Sequence, residues 1–261
     1  MKLEDTRAAA AMLLQHWRQS TRLGELPAHC RPETRAEGYA IQSEVAKLSG
    51  QNVVGWKIAA TSVAGQQHIQ VDGPIAGCLL AARAREGGAR IALAGNNMKV
   101  AEAEFAFRMG GDLPKRGTSY GVDEVLAAVA SLHPAIEVPD SRYEDYTRVG
   151  APQLIADMAC ACWFMIGPAT RADWRALDLA QHGVAAYRNG ALVAQGSGAN
   201  VLGDPKMALA WIANELSTYG DGLRAGEVVI TGTCVTPLPV SAGDSVKMDF
   251  GAFGALEAGF A

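Results

Sequence analysis

The chain has 261 residues, about half of them apolar and only 19% charged, enough to bury a sizeable core in one large domain. A formal net charge of −4, with no block of like charges, excludes the electrostatic footprint of a nucleic-acid binder. The best uncharged run, residues 158–170, is interrupted by Gly167 and Pro168 and is shorter than the roughly 20 residues that a membrane span requires. Glu4 and Asp5 before a short alanine-rich stretch do not fit a secretory signal, and the five scattered cysteines do not form a disulfide framework. A cytoplasmic protein with free, buried thiols is the expectation.

Residues 1–50 read as helical. Asp5 is expected to cap a helix through Ala8–Gln19, and Thr34-x-x-Glu37 forms a capping box for a second helix that stops near Gly50. After residue 50 short apolar segments alternate with glycine-rich turns. Strands are expected at Val53–Ala60, Val100–Arg108, Ala135–Val138, Cys162–Ile166, His182–Arg188, Val228–Gly232, Ser245–Phe250 and Ala255–Phe260. Two helices interrupt them, one over Val122–Leu132 and one capped by Asp204-Pro205 and ended by Gly220. Strands and helices do not alternate regularly, which predicts an α+β fold and not a doubly wound parallel sheet. The domain reading is a helical N-terminal segment, 1–50, packed on a catalytic domain, 51–261.

Three segments carry candidate chemistry. On a strand, Val100, Glu102, Glu104 and Ala106 share one face, while Ala101, Ala103, Phe105 and Phe107 share the other. Two carboxylates about 7 Å apart at the backbone then project together, although a solvated strand face would read the same way. Glu137 lies in a run bounded by Pro134 and Pro139, on the face opposite Ile136 and Val138. An acid there is costly to bury unless it is paired or binds a metal. Three carboxylates without a matching His or Cys set suit Mg²⁺ or Mn²⁺. Lys57 interrupts the apolar strand Val53–Ala60, and desolvation would favour its neutral amine, unless the lysine merely snorkels from a strand end. His16, His29, His68, His133 and His182 have no ligand spacing, and no nucleophile elbow, Walker loop or dinucleotide fingerprint is present.

These segments, in this order, resemble the 2-keto-4-pentenoate hydratase / 4-oxalocrotonate decarboxylase family of the fumarylacetoacetate hydrolase superfamily. The resemblance rests on Gly55-Trp-Lys-Ile-Ala-Ala-Thr-Ser62, Val71-Asp-Gly-Pro-Ile-Ala-Gly77, Ala101-Glu-Ala-Glu-Phe-Ala-Phe107 and Ile136-Glu-Val-Pro-Asp-Ser-Arg142. It continues through Gly196-Ser-Gly-Ala-Asn-Val-Leu-Gly-Asp-Pro205, Leu223–Gly232 and Ala242-Gly-Asp244. It implies a mixed β-roll core with flanking helices, and Mg²⁺ or Mn²⁺ held by Glu102, Glu104 and Glu137. It also implies a catalytic Lys57, substrate contacts near Ser197 and Thr231, and a homo-oligomer.

The implied activity is a lyase of aromatic meta-cleavage catabolism, a hydratase adding water to a 2-hydroxy-2,4-dienoate or 2-oxo-4-enoate to give a 4-hydroxy-2-oxo acid. The alternatives are a decarboxylase of the 4-oxalocrotonate type and an acylpyruvate C–C hydrolase, for which His68 is the only histidine near a matching motif. Three positions depart from the hydratase pattern. Ile75 replaces an acid, Met158 replaces an asparagine and Asp204 replaces a histidine.

Overall fold

The computed structural model describes residues 1–261. Two long helices, α1 (Leu3–Gln19) and α2 (Arg35–Ser49), precede strand β1 (Val53–Ala59). The short helix α3 (Val63–His68), β2 (Ile75–Leu80), β3 (Ala84–Arg85) and β4 (Arg90–Ile91) follow. Next come β5 (Val100–Met109), β6 (Leu113–Pro114), α4 (Val122–Ala127) and β7 (Val129–Val138), then α5 (Gly150–Ala156) and β8 (Trp163–Ile166). The chain continues through β9 (Gly183–Arg188), β10 (Ala191–Ser197), α6 (Pro205–Tyr219), β11 (Gly222–Leu223) and β12 (Val228–Thr233). It closes with β13 (Leu238–Pro239), β14 (Ser245–Asp249) and β15 (Ala255–Phe260).

The main sheet runs β2-β1-β12-β5-β7-β8-β3, with β13 joined to β5. It is mixed: β1 is parallel to β12, whereas β12, β5, β7 and β8 pair antiparallel. A second sheet, β10-β9-β14-β15-β4, packs on one face of it. Phe105 sits at that junction, edge-to-face with Phe250 at 5.4 Å and with Phe253 at 6.0 Å. The alternation read from β5 is realised. Ala101, Ala103, Phe105 and Phe107 enter the core shared with the second sheet, while Ala106 enters the core under the N-terminal helices. Ile136 and Val138 of β7 likewise enter the first core and Ala135 the second, so the acids of both strands share the helix-covered face.

Edge strand β2 is covered by α2. Gln42 donates from Nε2 to the Ala76 carbonyl and accepts from the Cys78 amide, supplying the bonds a neighbouring strand would make. The Thr34–Glu37 capping box, the Gly50 stop and the Asp204 cap on α6 are present. Asp204 accepts from the Lys206 amide at 2.7 Å, which gives the residue at that departure a local structural role.

Two expectations differ. Lys2, not Asp5, is the N-cap of α1, and Asp5 lies in the first turn, where its charge suits the helix dipole. The helix over Val122–Leu132 ends at Ala127, because its last residues join β7 and pair with β5 as far as Met109↔Val129. There the sheet's backbone pairing outweighs the helical spacing of Val129 and Leu132. All five cysteines are free and buried, as expected.

Candidate active site

Glu102 of β5 and Glu137 of β7 are direct cross-strand partners, and Glu104 lies one pleat further along the same face. One carboxylate oxygen from each of the three lies within 4.8 Å of the other two. Glu104 and Glu137 are buried, while Glu102 keeps some exposure. Lys57 is 3% exposed, and its Nζ lies 3.1 Å from Glu137 Oε2. That contact has the distance of an ion pair without hydrogen-bond alignment, so Glu137 Oε2 keeps no hydrogen-bond donor.

The contact depends on the curl of the sheet. In register, Lys57 aligns with Ile230, Ala106 and His133, so Glu137 lies three strands away and further along β7. A flat sheet at about 4.8 Å per strand would separate the two backbones by about 14 Å before that offset is counted. A bulge between Ile230 and Thr233 interrupts the β12–β5 ladder at this point. Gly232, at φ +104°, directs its amide to Glu104 Oε2 at 2.6 Å. Its missing Cβ is also required, since a methyl there would meet Thr61 Oγ1 at 2.3 Å. Sequence reasoning missed Gly232. The signal available was a glycine closing an apolar strand, which marks a bulge or a close approach.

Burial dominates the electrostatics of the acids. It pushes the Glu102 carboxyl up to about 7, with the Glu137 charge adding and Lys57 opposing. Glu104 is raised well above the ordinary range by burial and by its two acidic neighbours. Glu137 is raised by burial, against the pull of Lys57. The lysine behaves differently from the sequence expectation. Burial alone would lower it, but Glu137, Glu102 and Glu104 together hold its ammonium above the usual lysine range.

Full ionisation of the three acids beside one ammonium would leave excess negative charge in a dry site, which is why burial and mutual repulsion hold their protons on. Glu104 Oε1 and both oxygens of Glu137 are buried without a hydrogen-bond donor. Orphaned carboxylate oxygens converging from all-oxygen donors fit a hard divalent cation, Mg²⁺ or Mn²⁺.

Lys57 also donates to the Ala159 carbonyl at 3.0 Å. Thr231 lies in the bulge, fully buried, and its hydroxyl donates to the Phe105 carbonyl at 3.2 Å. Ser197 ends β10, between Gly196 and Gly198. A Cβ on Gly196 would meet the Cys234 carbonyl, which links this loop to the segment after Gly232. His68 packs against the half-buried Tyr146, with ring centroids 6.2 Å apart. His133 is a structural residue that bonds Ser131 and the Gly167 carbonyl.

The profile of the fumarylacetoacetate (FAA) hydrolase C-terminal family matches residues 50–261. The chain belongs to this family. A family member from Comamonas testosteroni, a 2-hydroxyhexa-2,4-dienoate hydratase, is 35% identical over 223 residues, 83% of each chain. A 4-oxalocrotonate decarboxylase from Pseudomonas sp. strain CF600 is 32% identical over 83% of this chain and 82% of that protein. Among solved structures, the 4-oxalocrotonate decarboxylase from Pseudomonas putida G7, complexed with magnesium and adipate, superposes with a TM-score of 0.89. That match has 28% identity and covers 100% of this chain and 99% of that one. The mixed-sheet α+β architecture is thus that of a fumarylacetoacetate hydrolase-type protein.

Proposed function

We propose that this chain is a divalent-metal-dependent hydratase that converts a 2-hydroxy-2,4-dienoate, through its 2-oxo tautomer, to a 4-hydroxy-2-oxo acid. The observation that carries the reading is the buried ammonium of Lys57 beside the three-carboxylate cluster. The hydratase relatives supply the substrate class. Glu102, Glu104 and Glu137 would hold Mg²⁺ or Mn²⁺. When bound, the ion supplies Lewis-acid polarisation of the substrate's carboxylate and C2 oxygen.

Lys57 moves the protons. Its Nζ delivers a proton to C5 and takes up the proton of the C2 hydroxyl. The double bond shifts to C3–C4, and C4 becomes electron-poor through conjugation with the C2 carbonyl. Water then adds across that bond, hydroxyl to C4 and hydrogen to C3. Ser197 and Thr231 are assigned to the substrate-binding surroundings. Thr231 acts there through the bulge that shapes the Glu104 contact, since its hydroxyl is engaged by Phe105.

A decarboxylase on the same scaffold is the second reading, and Ile75 favours it. This residue is fully buried and pairs with Ala59, two residues from Lys57, where many hydratases carry an acid that would partner the lysine in proton transfer. The superposition on the magnesium-bound decarboxylase supports it as well. Hydrolysis of an acylpyruvate has less support, because the base it needs would be His68, whose ring packs edge-on against Tyr146.

The proposal also includes a catalytic unit at 51–261 with 1–50 as its helical cover, a cytoplasmic location supported by five free thiols, and a homo-oligomer. Exposed Leu192 and Val193 on edge strand β10 support the last of these.

The test is incubation with Mg²⁺ and 2-hydroxypenta-2,4-dienoate in D₂O, with 2-oxohex-3-enedioate as a parallel substrate. The expected result is deuterium at C5 together with accumulating 4-hydroxy-2-oxopentanoate, exchange outpacing hydration because position 75 lacks the acid. Exchange without hydration, accompanied by CO₂ release from the enedioate, would replace the hydratase by the decarboxylase.

A further inference from the structure

The turn that faces Lys57 has an unusual backbone. Met158, Ala159 and Cys160 lie at φ 52°, 48° and 64°, three consecutive non-glycine residues in the left-handed region. Such backbone persists only where its surroundings over-determine it. Here they do so from two sides. Asp157, fully buried, accepts from Ser141 Oγ at 2.8 Å, from the Arg142 amide at 3.0 Å and from Arg142 Nε. Arg142, equally buried, also donates to the carbonyls of Asp157, Asp140 and Ala161 and so brackets the turn at both ends. From the other side the turn rests on β2 at Gly77, where a Cβ would lie 1.9 Å from the Met158 carbonyl oxygen. Gly77 is the cross-strand partner of Lys57. The chain therefore sets its most strained turn directly over the strand position opposite the lysine, and the Ala159 carbonyl meets Nζ there.

We propose that this turn, clamped by Arg142 and Asp157 and seated on Gly77, is a positioning device that fixes the Lys57 ammonium through the Ala159 carbonyl. An ammonium has three donors on a flexible stem. With no second anchor it follows the strongest field, which here points into the three carboxylates, and it would lie among the oxygens assigned to the metal. The carbonyl holds one N–H away from them, a second faces Glu137, and the third is left for the substrate. Gly77, Arg142 and Asp157 are thus positioning residues. The inference rests on the catalytic role proposed for Lys57, but its structural half can be tested independently.

The experiment uses the full-length protein with ¹⁵N-labelled lysine, and the Lys57 ammonium signal is assigned by its loss in Lys57→Met. Hydrogen exchange of that signal is measured in wild type, Gly77→Ala and Ala159→Gly, without metal and with saturating Mg²⁺. Gly77→Ala pushes the turn off β2, while Ala159→Gly relieves the left-handed conformation and frees the peptide to leave it. Both variants should exchange faster and lose at least about tenfold in kcat, the scale of a small misplacement of a reacting group, with KM within about threefold. Exchange and kcat both within about twofold of wild type in the folded variants would overturn the proposal. If Gly77→Ala does not fold, Ala159→Gly decides alone. Faster exchange with unchanged kcat would also overturn the positioning role. Unchanged turnover in Lys57→Met would instead overturn the proposed chemistry, a separate failure.

Discussion

Glu102 and Glu137 oppose each other directly across β5 and β7, two acids in the cross-strand relationship where like charges repel most. Glu104 adds a third carboxylate to the same pocket, and Lys57 supplies one positive charge beside Glu137. An arrangement so unfavourable in the absence of a cation is understandable if binding one is its purpose.

Replacing Glu102 by glutamine removes one ligand and one repelling charge together. Mg²⁺ affinity and turnover should fall by at least about 10², while the fold is kept. In EDTA at pH 8 the variant should melt no lower than wild type, because the buried repulsion is reduced. Calorimetric titration with Mg²⁺ and a thermal melt check the two halves. A variant that binds Mg²⁺ as wild type does would remove Glu102 from the site.

Lys57→Met keeps the length of the side chain and loses the amine. Turnover should fall by at least about 10², the usual scale for a proton-transfer group. Mg²⁺ affinity should be kept or improved, since a competing positive charge is gone. Steady-state kinetics with Mg²⁺ titration separate these effects, and full activity would make the lysine structural.

The acids set the pH dependence. Glu102 is raised from 4.5 to about 7 in the metal-free fold, and Glu104 and Glu137 are raised as well. A carboxyl held above its unfolded value binds its proton more tightly when folded, so its contribution is present below pH 4.5 and is lost as pH rises through the folded value. The metal-free protein should therefore lose stability from pH 4.5 upward through about 7 on account of Glu102. Mg²⁺ competes with these protons, so the rise in Tm on adding it should be larger at pH 8 than at pH 6. Melting curves at both values, with and without Mg²⁺, measure this. An equal shift at both pH values would show that the ion does not displace protons from these acids.

Asp157→Ala leaves the Arg142 guanidinium buried without its carboxylate. Breaking such a pair from one side costs about 3–5 kcal/mol, so urea unfolding should show a loss of that order. A change below about 1 kcal/mol would mean that water reaches Arg142 and replaces the partner.

Much of the site was legible in the chain because the period-2 alternation of Val100–Phe107 and Ala135–Val138 separates the acids from Phe105, Phe107, Ile136 and Val138, and the fold places those faces as the alternation requires. The capping residues Thr34 and Asp204 were equally legible, since capping is local. The convergence was not. Lys57 meets Glu137 across three strands through a curl that no short stretch of sequence encodes. The upward pull on the Lys57 ammonium was illegible for the same reason, because its burial is visible in its neighbours whereas the three acids that oppose that burial come from other strands. The Met158–Cys160 turn was illegible because none of its residues favours the left-handed backbone, and tertiary clamping by Arg142 and Asp157 imposes it.

Everything proposed for the reaction requires Glu102, Glu104 and Glu137 to bind one divalent ion beside Lys57. Crystals grown with Mn²⁺, with data collected at the manganese absorption edge, would locate that ion. One anomalous peak per chain is expected, within about 2.5 Å of a carboxylate oxygen from each of the three glutamates. Saturating Mn²⁺ with no peak there, or a peak bound by other side chains, would contradict it.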